Sequence, residues 1–510
     1  MKKNQIKLLI ITLIVSLLIP KLYGQNFPKR EMRGVWIATV GNNDWPSKKG
    51  LSPARQRQEF IDILEMHKKN NMNAVIVQIR PSADAFYPSD YEPWSAYLSG
   101  TQGQAPKPFY DPLQFMIKET HKRCMEFHAW VNPYRVFTDT SNIRMAENHI
   151  AAKHPEWFFD YGHKRYFNPA LPQTREFVSK VIADIVRRYD VDAIHFDDYF
   201  YPYKYKNQDF PDSLSFLKYS RGFTADKKDD WRRDNVNLII EMLHDSIKSI
   251  KPYVKFGISP FGIWRNKSSD PRGSATNGSQ NYDDLYADIL LWLEKGWIDY
   301  VTPQLYWYIG KEIADYAILA KWWNENTYGK QLYIGHGIYR MSQKTKAKAW
   351  EGKKEIPRQI ELNRSLRNVS GSMFFTTHNF QENPKRISEY LRRKYYKYPA
   401  LVPEMPYIDS LKPKTPVDFY MFEQKNGYQL VWDMPETNRA EDEQRYFVVY
   451  RSKNNKELTK AENIFKLSNE KEFFIKKRFF LFRTKAKFYI TAVDRLNNES
   501  LPTKAINLKY

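Results

Sequence analysis

One cysteine, Cys124, stands in a chain of 510 residues, which excludes an intrachain disulfide and any cysteine-built zinc site. Neither His-x-x-x-His nor a tight Asp/His cluster occurs, so metal catalysis is not expected and no cofactor is assigned. A Gly-x-Ser-x-Gly elbow is missing, which removes the usual serine nucleophile of hydrolases. No glycine-rich turn follows the first strand at Val40, and this counts against an open dinucleotide-binding sheet. Beyond residue 20 no stretch is apolar enough to span a bilayer.

The N-terminus has its own character. Lys2 and Lys3 precede an uncharged run from Leu8 to Ile19, and Pro20 to Gly24 forms a cleavage region, although Leu22 is larger than the small residue usual there. This is the pattern of a secretory signal peptide over residues 1–24, which places the mature chain in the periplasm, the cell envelope or outside the cell. The run is shorter than the roughly 20 apolar residues of a spanning helix, and no cysteine follows it to carry a lipid. Net charge is +22, an excess suited to acidic polymers or an envelope surface, and export points away from nucleic acid as the partner. Aromatic residues make up 16% of the chain, including 14 Trp and 35 Tyr, more than packing requires and suited to a cleft in which ring faces carry sugars.

Strand-like and helix-like segments alternate from about residue 31 to 395. Strands are expected at 32–40, 74–80, 127–132, 193–198, 255–259, 299–307, 331–337 and 371–376, with amphipathic helices between them. Eight such units in one stretch predict an α/β fold, a (β/α)₈ TIM barrel over residues 27–395. Prolines at 399, 403, 406, 413 and 416 read as a linker over 396–412. Short alternating runs after it predict a small all-β sandwich over 413–510, resembling fibronectin type III domains, with a role in spacing or attachment.

Barrel enzymes carry their reacting groups at the C-terminal ends of the strands. Asp197 and Asp198 end the fourth strand, where alternation sends Ile194 and Phe196 toward the helices and His195 and Asp197 into the barrel mouth. Neighbouring carboxyls suit glycoside hydrolysis, which needs one protonated acid and one ionised partner, and repulsion between them raises one pKa. A helix cap or an ion pair with a loop cation is the structural alternative. Arg80, Asp84, Trp130, Asn132, Tyr134, His195, Tyr199, Trp264, Gln304, Tyr306, Trp307 and His336 are the candidate substrate-binding residues, drawn from strand ends and the loops after them. Trp130, Trp264 and Trp307 are candidate sugar platforms or, equally, plugs of the barrel mouth. Arg80 either forks onto a substrate carboxylate or pairs with Asp84.

Several ordered motifs carry a family resemblance: Arg33-Gly34-Val35-Trp36, the run from Arg80 to Ser89, Ala129-Trp130-Val131-Asn132-Pro133-Tyr134, the run from His195 to Pro202, Ser259-Pro260-Phe261-Gly262 with Trp264-Arg265, and the run from Asp299 to Trp307. Over residues 27 to 395 the sequence resembles the bacterial glycosyl hydrolase-like 10 family. The resemblance implies a (β/α)₈ barrel and a cell-envelope glycosidase acting on peptide-free chains of N-acetylglucosamine and N-acetylmuramic acid. It does not supply a mechanism. Asp197 could orient the acetamido group of an N-acetyl sugar while Asp198 protonates the leaving oxygen, or Asp197 could be a covalent nucleophile with Asp84, Glu92 or Asp270 as the acid. A non-catalytic glycan-binding protein, a hydrolase of another polysaccharide and a scaffold working through the sandwich are the competing classes. The sequence leaves the oligomeric state open.

Overall fold

The computed structural model describes residues 27–140, 144–206, 208–343, 347–452, 458–477 and 484–510; the signal peptide expected over residues 1–24 lies outside them. Eight parallel strands form the barrel: β1 (Met32–Ile37), β2 (Ala74–Arg80), β3 (Glu126–Val131), β4 (Ala193–Phe196), β5 (Lys255–Ile258), β6 (Tyr300–Val301, continued by Gln304–Leu305), β7 (Gln331–His336) and β8 (Val369–Phe374). Each pairs with the next in sequence order, and β8 returns to β1 with Met32 opposite Gly371 and Val35 opposite Phe374, so the sheet closes. The helices that cover it are α1 (Pro53–Lys69), α2 (Pro112–His121), α3 (Pro172–Arg188), α4 (Lys228–Ile250), α5 (Ile289–Lys295), α6 (Tyr316–Glu325), α7 (Glu355–Ser365) and α8 (Ile387–Lys394). Local chemistry sets their starts. Ser52 and Asp111 each accept a first-turn N–H, from Arg55 and Gln114, with proline at the first helical position. The helical segment before β6 is two pieces, Asn281–Asp284 and Ile289–Lys295, and β6 is broken around Pro303, which has no N–H to give the ladder.

Alternation along the strands divides the core in two. Val35, Val75, Val77, Ile79, Ile194 and Phe196 join one cluster with the helices, while Met32, Trp36, Ile76, Trp130, Tyr300 and Met373 fill the barrel interior. The interior also holds a polar column. Trp36 Nε1 donates to His195 Nε2 at 3.3 Å, the Tyr300 hydroxyl meets His195 Nδ1 at 2.9 Å and His128 Nδ1 at 2.8 Å, and His128 Nε2 lies 2.8 Å from Glu126 Oε2. An indole can only donate, which fixes His195 as the Nδ1–H tautomer and orients every bond of the column toward Glu126. Burial holds the His195 pKa well below the usual range, so the ring is neutral. Gly257 makes this possible: a Cβ there would sit 1.9 Å from the Tyr300 ring.

The C-terminal part is all-β. A three-stranded antiparallel sheet (Val417–Gln424, Gly427–Asp433, Glu472–Lys476) packs Leu430 and Trp432 against Phe447, Phe488 and Ile490 of a four-stranded one (Ile464–Ser468, Tyr446–Ser452, Lys485–Val493, Ile506–Lys509). It is bound to the N-terminal face of the barrel. Arg445 reaches Asp190 and Asp192 at 2.6 Å each, Arg495 also pairs with Asp190, and Asn497 Nδ2 donates to Glu126 Oε1 at 2.9 Å. Glu126 in turn pairs with Lys255. Burial pushes the Asp192 carboxyl up, but Arg445 and His121 outweigh it and hold the group well below the usual carboxylate range. The segment expected to be a linker is packed under the barrel as well: Leu401, Val402 and Met405 are buried, and Leu401 exchanges backbone hydrogen bonds with Lys29 and Glu31. The sandwich therefore closes the barrel floor.

Replacing Arg445 with Gln leaves Asp192 buried without its cation. Unfolding in denaturant is expected to show a loss of about 3 kcal/mol, of the order found when a buried pair loses one member; an unchanged midpoint would show that the barrel floor does not depend on the sandwich.

Candidate active site

β4 ends at Phe196, and the chain leaves the ladder with two carboxyls in succession, Asp197 at 5% and Asp198 at 6% exposure. Register places β3 beside them, with Trp130 opposite His195 and Asn132 just beyond. Trp130 Nε1 donates to Asp197 Oδ2 at 3.0 Å, Asn132 Nδ2 lies 3.1 and 3.2 Å from the two Asp197 oxygens, and the Tyr199 amide donates to Oδ1 at 3.2 Å. The Asn132 side chain is itself oriented, its Oδ1 accepting from the Arg135 amide at 2.9 Å. Asp198 has different company: the Tyr203 hydroxyl, and Gln304 Nε2 at 3.3 Å, which also donates to the Ser259 carbonyl.

Burial raises both carboxyls above their ordinary range. For Asp197 the neighbouring charge of Asp198 adds to burial and brings the group to about 6, against the pull of the Arg135 cation, the Tyr199 amide and Trp130. For Asp198, burial is opposed by Tyr203 and Gln304. The two sets of partners differ in kind. Indole, amide and backbone N–H groups give Asp197 protons and accept none, so they favour its ionised form. A tyrosine hydroxyl can donate or accept, so Asp198 can keep a proton and remain bonded to Tyr203. Burial and like charge together favour a single proton shared by the pair.

Aromatics border the pair, half-buried except for exposed Tyr203. Tyr306 stacks on Phe375 at 5.8 Å and meets Tyr339 edge-on at 5.7 Å, while Tyr203, Phe261 and Trp307 form a second row with centroids 6.2 and 5.4 Å apart. Gly262 admits Trp307 to this row, since a Cβ there would lie 2.6 Å from the indole. Arg135 is carried on Arg135–Phe137, one strand of a small sheet completed by Lys164–Phe167 and Phe158–Tyr161; its guanidinium lies over the Tyr199 ring at 5.0 Å and its Nε donates to the Pro81 carbonyl.

Other expected residues stand elsewhere. Arg80 is fully buried, forks onto Glu92 rather than Asp84 and donates to the carbonyls of Asn132 and Pro133, so it fixes the loop after β3 and cannot meet a substrate. His195 belongs to the column beneath the site. Tyr134 has no exposure and packs in the core. Trp264 is 1% exposed and stacked on Trp322 of α6, so it plugs the wall and carries no sugar. His336 points outward from β7 to Gln359 of α7 and to Ser372, because Tyr333 and Gly335 take the inward positions of that strand. Trp130 is 5% exposed and serves Asp197 through its N–H rather than its face. Of the alternative acids, Glu92 is held by Arg80 and Asp270 by Arg265 and Arg272, while Asp84 lies in a separate cavity. Sequence reasoning missed Tyr203, Arg135, Phe261 and Phe375 as site residues; Phe261 stands within the motif Ser259–Gly262, and Tyr203 and Arg135 directly follow the motifs that end at Pro202 and Tyr134.

Residues 31–351 match the family described as Glycosyl hydrolase-like 10. The chain belongs to that family. The glycosyl hydrolase YngK of Bacillus subtilis (strain 168) is 47% identical over 485 residues, 93% of each chain. The glycosyl hydrolase DigH of Escherichia coli (strain K12) is 38% identical over 366 residues, 68% of this chain and 82% of its own. In three dimensions the chain is similar to the PgaB (BpsB) glycoside hydrolase domain from Bordetella bronchiseptica, at 12% identity and a TM-score of 0.47, over 71% of this chain and 98% of that one. Membership of the glycosyl hydrolase-like 10 family makes this protein a glycoside hydrolase with a carbohydrate substrate.

Loss of the Asn132 donor in Asn132→Leu favours the protonated form of Asp197. If activity needs Asp197 ionised, the rising limb of the kcat/KM profile moves to higher pH, by about one unit; an unmoved limb would assign that limb to another group.

Proposed function

We propose that this glycosidase is exported and cuts peptide-free peptidoglycan glycan strands, with Asp198 protonating the leaving oxygen and Asp197 acting as the ionised partner. The observation that carries the mechanism is that every partner of Asp197 is donor-only, whereas Asp198 has the Tyr203 hydroxyl beside its one amide donor, Gln304. In an N-acetyl sugar the acetamido oxygen can attack the anomeric carbon; Asp197 then orients and polarises that group as the glycosidic bond breaks and the Asp198 proton passes to the departing oxygen. The reading with Asp197 as a covalent nucleophile has less support, because two of its three possible acids, Glu92 and Asp270, are held by arginines. The substrate class rests on the motifs of strands one to six and on a strongly basic chain, which suits a glycan bearing lactyl carboxylates. Export rests on the pattern of residues 1–24. The sandwich is read as fibronectin type III-like on its sheets of three and four strands.

Incubation with intact and peptide-stripped peptidoglycan, followed by mass analysis, is expected to release fragments only from the stripped glycan. Asp197→Asn and Asp198→Asn are each expected to lower kcat by about a thousandfold with binding retained, the scale of a lost acid–base group. A thiazoline that mimics the cyclised acetamido group is expected to inhibit tightly. Indifference to it, with turnover intact, would contradict substrate assistance.

A further inference from the structure

The two sheets of the sandwich meet different surroundings. The four-stranded one packs Tyr446, Val448, Tyr450 and Tyr489 with Leu401 at the barrel floor, while the three-stranded one turns its outer face to solvent. One cross-strand row of that face reads Phe422, Gln429, Phe474, and the two rings are 57% and 40% exposed. Phe474 lies across Gly427, where a Cβ would meet the ring at 2.3 Å, so the ring rests on backbone and stays open above.

Beside these rings the end of the sandwich is cationic. Lys425 stands in the turn after Val417–Gln424, Lys476 lies opposite Gly427, and the Lys477 amide donates to the Asn426 carbonyl at 3.0 Å. The other sheet ends at the same place: the Tyr428 hydroxyl donates to the Lys509 carbonyl at 3.1 Å, Lys485 lies directly opposite Lys509, and Lys487 opposite Asn507. Like charges set across a ladder repel one another. Lys477 is paired with Glu423, but Lys425, Lys476, Lys485, Lys487 and Lys509 make no ion pair among the described residues. In sequence, the connection between the two sheets adds Arg478-Phe479-Phe480-Leu481-Phe482-Arg483, an apolar run between cations that lies outside the described residues.

We propose that this end of the sandwich docks on an anionic lipid surface, with the five unpaired lysines on the phosphate headgroups and the Phe422 and Phe474 rings at the boundary beneath them. Charge complementarity selects an anionic partner, since the one paired acid here, Glu423, is already taken by Lys477. The exposed rings select a bilayer over a soluble acidic polymer, because apolar rings among cations gain from an apolar phase that a polymer does not offer. The aspartate pair opens at the opposite end of the barrel from the sandwich, so a docked molecule keeps its cleft uncovered. Docking of this kind does not depend on which glycan the cleft cuts.

The test is co-sedimentation of the chain from Gln25 onward, so that the apolar N-terminal run does not itself bind lipid. Vesicles of phosphatidylcholine alone are compared with vesicles of phosphatidylcholine and phosphatidylglycerol in equal parts. Binding is expected to the anionic vesicles only, and it weakens as salt rises. Replacing Lys476, Lys485, Lys487 and Lys509 with Gln is expected to cost about fivefold in affinity per lysine. Phe422→Ser with Phe474→Ser is expected to cost about tenfold. None of these side chains is in the core, and unchanged denaturation midpoints show that the variants fold. Equal binding to both kinds of vesicle overturns the proposal, as does a lysine or phenylalanine variant that binds as the parent does. Binding to soluble polyglutamate but not to anionic vesicles also overturns it and assigns the lysines to an acidic polymer.

Discussion

Two adjacent carboxyls taken out of water cannot both be ionised at little cost, and the architecture around β4 settles how that cost is met. Consecutive residues of a strand point to opposite faces, but Asp197 and Asp198 lie beyond the last ladder residue, Phe196, and both are buried among partners from neighbouring strands and loops. β3 then supplies donors on one side, Trp130 and Asn132, and the loops after β4 and β6 supply Tyr203 and Gln304 on the other. The separation of roles proposed for two chemically identical groups rests on which neighbours can only donate a hydrogen bond and which can also accept one. It needs β3 on one side of β4 and β5 and β6 on the other, which the strand order supplies.

Closure is supported from below. The column from Trp36 through His195, Tyr300 and His128 to Glu126 crosses the interior, with Gly257 leaving room for the tyrosine ring. Its lower end is completed by Lys255 and by Asn497 of the sandwich, and the neighbouring Asp190 and Asp192 are neutralised by Arg445 and Arg495. The sandwich is thus part of the barrel's electrostatics and not a detachable spacer. Apolar contact accompanies the charges, since Cys124 and Leu401 belong to one cluster with Tyr446, Val448 and Tyr450.

The barrel was legible because its strands are β-branched runs flanked by amphipathic helices, and β2 falls at the residues expected. Alternation directs Asp197 toward the barrel mouth, whereas Asp198 lies past the last ladder residue, where alternation gives no direction. Side chains misread from sequence share a physical cause: their partners are distant or the parity of their strand was uncertain. Arg80 finds Glu92 12 positions further along the chain, Trp264 is covered by Trp322 from α6, and His336 turns outward because Tyr333 and Gly335 take the inward positions of β7. Tyr203 lies past the end of the strand, where period-two reasoning stops. The packed linker escaped notice because prolines mark the lack of regular structure, which says nothing of burial. The substrate side of the site follows the same logic: half-buried Tyr306, Phe375, Phe261 and Trp307 lie in loops and at strand ends, where sequence periodicity gives no inward or outward face.

The distribution of one proton over two aspartates is the claim on which the mechanism depends, and neutron diffraction near pH 7 sees it directly. The account predicts deuterium on an Asp198 oxygen, facing Tyr203 or the open cleft, and none on Asp197. Deuterium on Asp197, or a pair with both carboxyls ionised, would contradict it.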